Sequence, residues 1–167
     1  MRITFSVMIT EDSQKGVPAE MSDFTDREAD RLKQALSDRR VKDEKSVQEH
    51  QLKVSQGPHL WQKTREAAKG AVDEINEKLG KRLLLWRSPK SNEIDIIAPE
   101  IGQGHNILAT FDPNTFQITW RVPVTGPGRG EMKIFVANGE VMWNSGSENH
   151  TAEQAAELLV NKLTSTI

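Results

Sequence analysis

The fold is decided by residues 83–144, which read LLLWRSPKSNEIDIIAPEIGQGHNILATFDPNTFQITWRVPVTGPGRGEMKIFVANGEVMWN. Six short apolar segments alternate here with turn residues, and apolar side chains recur at every second position within a segment. The clearest segment, Phe116–Val122, places Ile118 and Trp120 on one face and polar side chains on the other. This period of two is typical of a half-buried strand, and Asn138-Gly139 is typical of a two-residue hairpin turn. The stretch therefore predicts an antiparallel sheet.

Amphipathic helices flank this stretch on both sides. From Trp61 to Leu79 the apolar residues follow helical spacing, and Gly80 stands at the expected C-cap. A capping box at Thr151–Gln154 predicts the start of a second helix. Because short connectors make consecutive strands antiparallel neighbours, the sheet has one face for helices to cover. The sequence predicts a two-layer α+β fold: an antiparallel meander of six to seven strands with helices packed on one face.

The first part of the chain carries more charge. Residues 2–10 alternate between apolar and polar and predict a strand, and the capping box at Thr25–Glu28 predicts a helix start. The apolar stripe of this helix fails within Ser37–His50, which favours a solvated helix or mobile arm, or alternatively a helix that docks a partner. Gly57-Pro58 predicts a break before the next helix.

These predictions give the element order β-α-α-β6-α and two domains. Residues 1–56 form a charged strand and helix region, partly mobile, and residues 57–167 form an α-β6-α core domain. The order helix, six strands, helix resembles the frataxin-like sandwich, and the longer order resembles the helix-grip fold of START and Bet v 1-like lipid-binding proteins. A frataxin-like helix would imply an acidic ridge and iron handling, whereas Glu66 and Asp73 are interleaved here with Lys69. Both resemblances concern topology and carry no residue roles.

Composition excludes several classes of function. The net charge is −2, and no element carries the basic excess that phosphate binding gives a nucleic-acid partner, so none is expected. The chain has no cysteine, which removes thiolate catalysis and Cys-ligated metals. No stretch approaches the roughly 20 apolar residues of a membrane helix. The N-terminus lacks a signal-peptide pattern, so a cytoplasmic protein is expected.

The meander predicts where a site would lie. Strands alternate in direction, so the connectors Pro99–Asn106, Pro123–Gly130 and Ser145–His150 share one end of the sheet. Arg129 suits a carboxylate or phosphate, and histidines suit proton transfer or metal ligation. The alternative is that these are ordinary exposed loop residues. No spacing predicts a metal site, a cofactor or a catalytic set. The candidate ligand-binding residues of this loop rim are His105, Asn106, Arg129, Glu131, Glu148 and His150.

The chain has four tryptophans and no tyrosine. Trp86, Trp120 and Trp143 either pack the core or line a pocket between the sheet and the C-terminal helix. The sequence favours a non-enzymatic binding or protein-interaction module whose partner is an unknown protein or small molecule, with self-association open. The alternatives are a carrier of a small apolar ligand in that pocket and a small hydrolase or isomerase that uses the rim histidines.

Overall fold

The computed structural model describes residues 19–123 and 128–166, so the predicted strand 2–10 lies outside the described residues. Two helices and seven strands follow one another along these residues. They are α1 (Ala19–Leu79), β1 (Leu85–Trp86), β2 (Glu93–Ile97), β3 (Asn106–Asp112), β4 (Gln117–Val122), β5 (Gly128–Ala137), β6 (Glu140–Asn144), β7 (Asn149–His150) and α2 (Ala152–Thr164).

The strands form one sheet in the order β1 to β7, and every neighbouring pair is antiparallel. The predicted α+β meander of six to seven strands is therefore confirmed. The seventh strand, β7, lies where the sequence predicted only a loop, and it pairs His150 with Trp143 of β6. A strand of two residues is too short to show a period of two, so the pattern contains no signal for β7.

The predicted helix break at Gly57-Pro58 is wrong, because α1 runs through both residues as one helix. Gly57 is buried, and a Cβ there would lie 2.8 Å from Cδ1 of Ile134 in β5. The glycine therefore lets the helix backbone approach the sheet closely, a tertiary role that outweighs its usual role as a helix breaker. One helix consequently replaces the two predicted before the sheet.

Burial alternates along the strands β2, β3 and β4 and defines two sheet faces. In β4, Ile118, Trp120 and Val122 are buried, whereas Thr119 and Arg121 are exposed. The first set belongs to the inner face, which meets the helices, and the second to the outer face. On the inner side, α2 contacts β3, β4, β6 and β7.

A connected set of aromatic rings joins α1 to the inner face. Trp61 stacks on Phe111 with ring centroids 5.5 Å apart, and Phe111 meets Trp143 edge to face at 5.8 Å. The indole Nε1 of Trp143 donates to Oγ1 of Thr64 at 2.9 Å, and this hydroxyl donates to the carbonyl of Leu60 at 2.9 Å. Both the indole N–H of Trp143 and the hydroxyl of Thr64 therefore have an acceptor, as buried polar groups require.

The end of α1 confirms the predicted C-cap at Gly80, whose φ is +63°. The Gly80 N–H donates to Glu77 and the Lys81 N–H to Asn76, a Schellman pattern. The side chain of Asn76 then donates to the Leu84 carbonyl at 2.8 Å and accepts from its N–H at 2.9 Å. One side chain thus fixes the chain as it leaves the helix toward β1.

Replacing Asn76 by alanine should lower the free energy of unfolding by about 1 kcal/mol, because two partly buried backbone groups of Leu84 lose their partner. Chemical denaturation measures the change. Asn161→Ala is the matched control, since Asn161 is an exposed asparagine of α2. An equal loss in both variants would contradict the role assigned to Asn76.

The β3–β4 connection has the turn chemistry that Asp112-Pro-Asn-Thr115 predicts. The Asn114 N–H donates to Asp112 Oδ1 and the Thr115 hydroxyl to Oδ2, each at 2.9 Å. These hydrogen bonds, led by the Asn114 N–H, hold the pKa of the Asp112 carboxyl below its usual range.

The chain divides into two compact units, Met1–Glu44 and Lys45–Ile167. The described part of the first unit is helical from Ala19, earlier than the predicted start at Thr25. Almost every side chain from 23 to 44 is exposed, and ion pairs such as Arg27–Asp23 at 3.2 Å stay within one turn. This part is a solvated helix. The second unit holds the sheet, α2 and the core.

Candidate functional site

A depression lies on the outer face of β3, β4 and β5. It has a volume of about 760 Å³, within the range of small-molecule sites. Its floor is made by side chains that alternate with the core residues of the same strands. These lining residues are Leu108, Thr110, Thr119, Arg121, Arg129 and Glu131. Trp120 and Gly130 also border the depression, which we call the outer groove.

Two arginines stand directly opposite each other in the outer groove. Register pairs Arg121 of β4 with Arg129 of β5, so their Cβ atoms are about 5 Å apart and both guanidinium groups leave from the same face. Both side chains are exposed, and within residues 19–123 and 128–166 neither makes a hydrogen bond or ion pair. Like charges opposite each other across a ladder destabilise a sheet unless an anion lies between them.

The carboxylate nearest in register does not neutralise this pair. Glu131 accepts a short hydrogen bond from Gln117 and forms an ion pair with Lys133 at 3.5 Å. Its charge is therefore directed away from the two guanidinium groups, toward the next row of the sheet.

A second, smaller groove of about 350 Å³ adjoins the outer groove. Asp95 pairs with Leu108, so the two depressions are neighbours on one face. His105 and Asn106 line the smaller groove; Asn106 Nδ2 lies 3.5 Å from Asp95 Oδ1, and His105 Nδ1 is buried without a hydrogen-bond partner. The imidazole lies against Gly102, where a Cβ would come within 3.3 Å of Nδ1.

The structure thus separates the residues of the predicted loop rim into two groups. His105, Asn106, Arg129 and Glu131 lie on or beside the outer face. His150 instead pairs with inward-facing Trp143, is buried and borders a groove on α2, while Glu148 is exposed in the turn before β7.

The Ser145–His150 pair has the spacing of a nucleophile and its base, with Ser145 Oγ 2.8 Å from His150 Nε2. A catalytic imidazole also needs a third group that orients it. In the part of the chain that the structure describes, no carboxylate is hydrogen-bonded to His150, and Glu148 uses its carbonyl to accept from Ser145 N–H. The geometry is that of a capped turn.

The three tryptophans do not surround one common space. Trp143 is fully buried between Phe111 and Thr64, and Trp120 is buried over Gly130. Trp86 is half-buried and borders a groove beside Asn76 at the end of α1. Trp143 is therefore a core residue.

The sequence pattern placed Arg129 in a glycine-rich loop and did not single out Arg121. The strand β5 in fact begins at Gly128, within the predicted connector Pro123–Gly130, so Arg129 is a strand residue. A signal was present: Arg129 and Glu131 alternate with Gly130 and Met132, which continues the period of two backward into the glycines.

Within the described ranges no group of three or more His, Cys, Asp or Glu side chains is arranged to hold a metal ion. Over the same residues no helix combines the length and the apolar content needed to cross a bilayer.

Comparison with known proteins gives no match: no family model, no curated protein and no solved structure matches this chain.

Proposed function

We propose that this protein is a non-enzymatic binding module that holds a small anionic ligand, a carboxylate or a phosphate, in the outer groove. The observation that carries the proposal is the opposed pair Arg121 and Arg129, both exposed and both without a partner in the described structure. An anion between two guanidinium groups relieves their repulsion and accepts charge-assisted, bidentate hydrogen bonds.

The rest of the groove supports a ligand larger than a bare ion. Thr110 and Thr119 face each other in the next row and offer hydroxyl groups that both donate and accept. Leu108 pairs with Arg121 and adds an aliphatic wall on the β3 side. The groove therefore suits a small organic anion that carries further polar groups beside its charged group.

Binding is favoured over catalysis by the residue types in the groove. Its lining offers arginine, threonine, leucine and tryptophan side chains, which position a ligand, and one glutamate that is engaged with Gln117 and Lys133. The hydrolase alternative would use Ser145 and His150. This pair lies at the edge strand β7 and is not part of the groove lining. A cytoplasmic location remains part of this proposal.

Calorimetric titration tests the proposal. We expect inorganic phosphate or succinate to bind at millimolar concentration or better, and Arg121→Gln and Arg129→Gln each to weaken binding at least about tenfold, the loss of one charge-assisted interaction. Arg82→Gln removes the same charge from an exposed position beside β1 and should bind as the unchanged protein does. Phosphate and succinate arms distinguish the two anion chemistries.

The same variants also measure the repulsion between Arg121 and Arg129. Without ligand, Arg121→Gln should leave the free energy of unfolding unchanged or raise it by a few tenths of a kcal/mol, because an unfavourable cross-strand pair is removed. Absence of binding by both anions, or binding that is insensitive to both arginine substitutions, would overturn the proposal. Tighter binding of an oligonucleotide than of either small anion would also overturn it.

A further inference from the structure

One row of side chains on the outer face connects the smaller groove to the outer groove. Register pairs Asp95 of β2 with Leu108 of β3. Leu108 in turn pairs with Arg121, which pairs with Arg129. Directly after β1, the N–H of Arg87 donates to the carbonyl of Asp95 at 2.8 Å and adds a fifth member. We call these five residues the charged row; the first two line the smaller groove and the other three line the outer groove.

The side chains of Arg87 and Asp95 make few contacts within the protein. In the part of the chain that the structure describes, the Arg87 guanidinium group has no hydrogen-bond or ion-pair partner. The Asp95 carboxylate accepts one long hydrogen bond, at 3.5 Å, from Asn106. The backbone of Asp95 is held separately, since its N–H donates to Ser88 Oγ at 3.0 Å. A carboxylate has about four acceptor positions, so most of this capacity is free for a ligand.

The two ends of the charged row differ in charge. In the outer groove Arg121 and Arg129 lie side by side and give this end two positive charges. In the smaller groove the charges of Arg87 and Asp95 have opposite sign and cancel. One end therefore suits a dianion, and the other suits a neutral group that donates and accepts hydrogen bonds. Between them lies Leu108, whose aliphatic side chain suits the nonpolar atoms of a ligand.

The smaller groove is formed by a loop that has its own hydrogen bonds. The Ala98 N–H donates to the His105 carbonyl at 2.8 Å, and the Asn106 N–H donates to the Gly104 carbonyl at 2.9 Å. Gly104 has a φ of +84°, which glycine adopts without a steric penalty. The loop thereby fixes Asn106 beside Asp95, so that an amide and a carboxylate face the same groove.

We propose that the ligand of the outer groove is the phosphate monoester of a polyhydroxylated molecule, a sugar phosphate, and that it lies along the charged row. This inference rests on the proposed anion site, in which Arg121 and Arg129 bind the phosphate. A phosphate monoester carries about −1.5 to −2 charges at neutral pH, which matches the two arginines. Asp95 and Asn106 bind hydroxyl groups at the other end of the ligand.

The strand spacing sets the length of the ligand. Arg121 and Asp95 lie two strands apart, which is about 10 Å at roughly 4.8 Å for each strand. A phosphorylated hexose with a hydrogen bond at each end covers this distance. Inorganic phosphate and glycerol phosphate are too short to reach Asp95 from the arginine pair.

Other ligands with two polar ends fit the charged row less well. Arg87 lies next to Asp95, so an ammonium group bound by the carboxylate would also meet a positive guanidinium group. A second anionic group bound by Arg87 would meet the Asp95 carboxylate in the same way. Neutral hydroxyl groups meet neither repulsion, so the row favours a sugar phosphate over an amino acid or a dicarboxylate.

Titration calorimetry with glucose 6-phosphate, inorganic phosphate and glucose tests the inference. The unchanged protein should bind glucose 6-phosphate at least about tenfold more tightly than inorganic phosphate, because the hydroxyl groups add hydrogen bonds in the smaller groove. Glycerol phosphate should bind as weakly as inorganic phosphate. Glucose should give no measurable heat, since it lacks the group that the two arginines bind.

Replacing Asp95 by asparagine should change two affinities in opposite directions. Binding of glucose 6-phosphate should weaken about tenfold, because its hydroxyl groups lose a charged acceptor. Binding of inorganic phosphate should stay the same or strengthen about twofold, because a negative charge about 10 Å from the anion is removed. Retained phosphate binding also shows that the variant is folded.

Glu93→Gln is the matched control. Glu93 lies two residues before Asp95 on the same face of β2, is also half-buried, and is not among the residues that line either groove. The substitution removes the same charge from the same strand. It should leave the ratio of the affinities for glucose 6-phosphate and inorganic phosphate unchanged.

Failure of this inference can be distinguished from failure of the proposed function. If no anion binds, or if binding is insensitive to the substitutions at Arg121 and Arg129, the anion site itself is wrong. If glucose 6-phosphate and inorganic phosphate bind equally, or if Asp95→Asn weakens both alike, the anion site stands and the sugar-phosphate inference is refuted. Tighter binding of succinate or of 6-aminohexanoate than of glucose 6-phosphate refutes it as well.

Discussion

Replacing Gly130 by alanine should lower the free energy of unfolding by about 3 kcal/mol, the upper range for overpacking a rigid core position. Gly130 pairs with Trp120, and the six-membered ring of the indole lies where a Cβ of residue 130 would be. An added Cβ would lie 2.7 Å from Cε2 and overlap Cζ2 of the ring. A buried indole has few rotamers available, so it moves only at the expense of neighbouring core contacts. Thermal or urea unfolding measures the loss.

A glycine-to-alanine substitution at a position with free space around it is the matched control. Gly70 lies in α1 with nothing within 4 Å of an added Cβ, so Gly70→Ala should raise stability by about 1 kcal/mol through helix propensity alone. Trp120→Leu should absorb part of the Gly130→Ala cost, and the double variant should therefore lose less than the two single losses together. Strict additivity would contradict the packing of Trp120 on Gly130.

Replacing Thr64 by valine should lower stability by about 2 kcal/mol although the shape of the side chain is kept. Thr64 is completely buried, and its hydroxyl is the acceptor for the Trp143 indole N–H. Valine leaves that N–H buried without a partner, and the desolvation penalty of an unpaired donor exceeds the value of an average hydrogen bond.

A double-mutant cycle separates this effect from a change in packing. In a Trp143→Phe background no indole N–H remains, so Thr64→Val should cost less than about 0.5 kcal/mol more than Trp143→Phe alone. An equal cost of Thr64→Val in both backgrounds would show that the hydroxyl serves only the Leu60 carbonyl, to which it also donates.

The meander could be predicted because its information is local. The alternation along Phe116–Val122 indicates a strand within a few residues, and Asn138-Gly139 indicates a hairpin turn. The capping box at Thr151 indicates where α2 begins. Gly57 could not be interpreted locally, because its place in α1 depends on Ile134, far along the chain. Glycine and proline usually indicate a break in a helix, and only tertiary packing can favour them inside one.

The candidate site was harder to predict for the same reason. Arg129 was noticed as an anion ligand, yet Arg121 became significant only when the β4–β5 register set the two side by side. Register follows from where a hairpin loop ends, and a glycine-rich connector gives no sharp end. The Ser145–His150 contact shows the converse case: two residues close in sequence meet in the structure, but without the third group that catalysis requires.

The hydrogen bond from Trp143 to Thr64 joins residues 79 positions apart in the chain. A ribosome that adds about 5 to 20 residues per second needs several seconds to make that interval. During that time the nascent helix carries Trp61, Ala68 and Val72 while the strands that cover them are still being made one after another. Translation rate and chaperone access over this interval thus become determinants of how much of the protein reaches its native state.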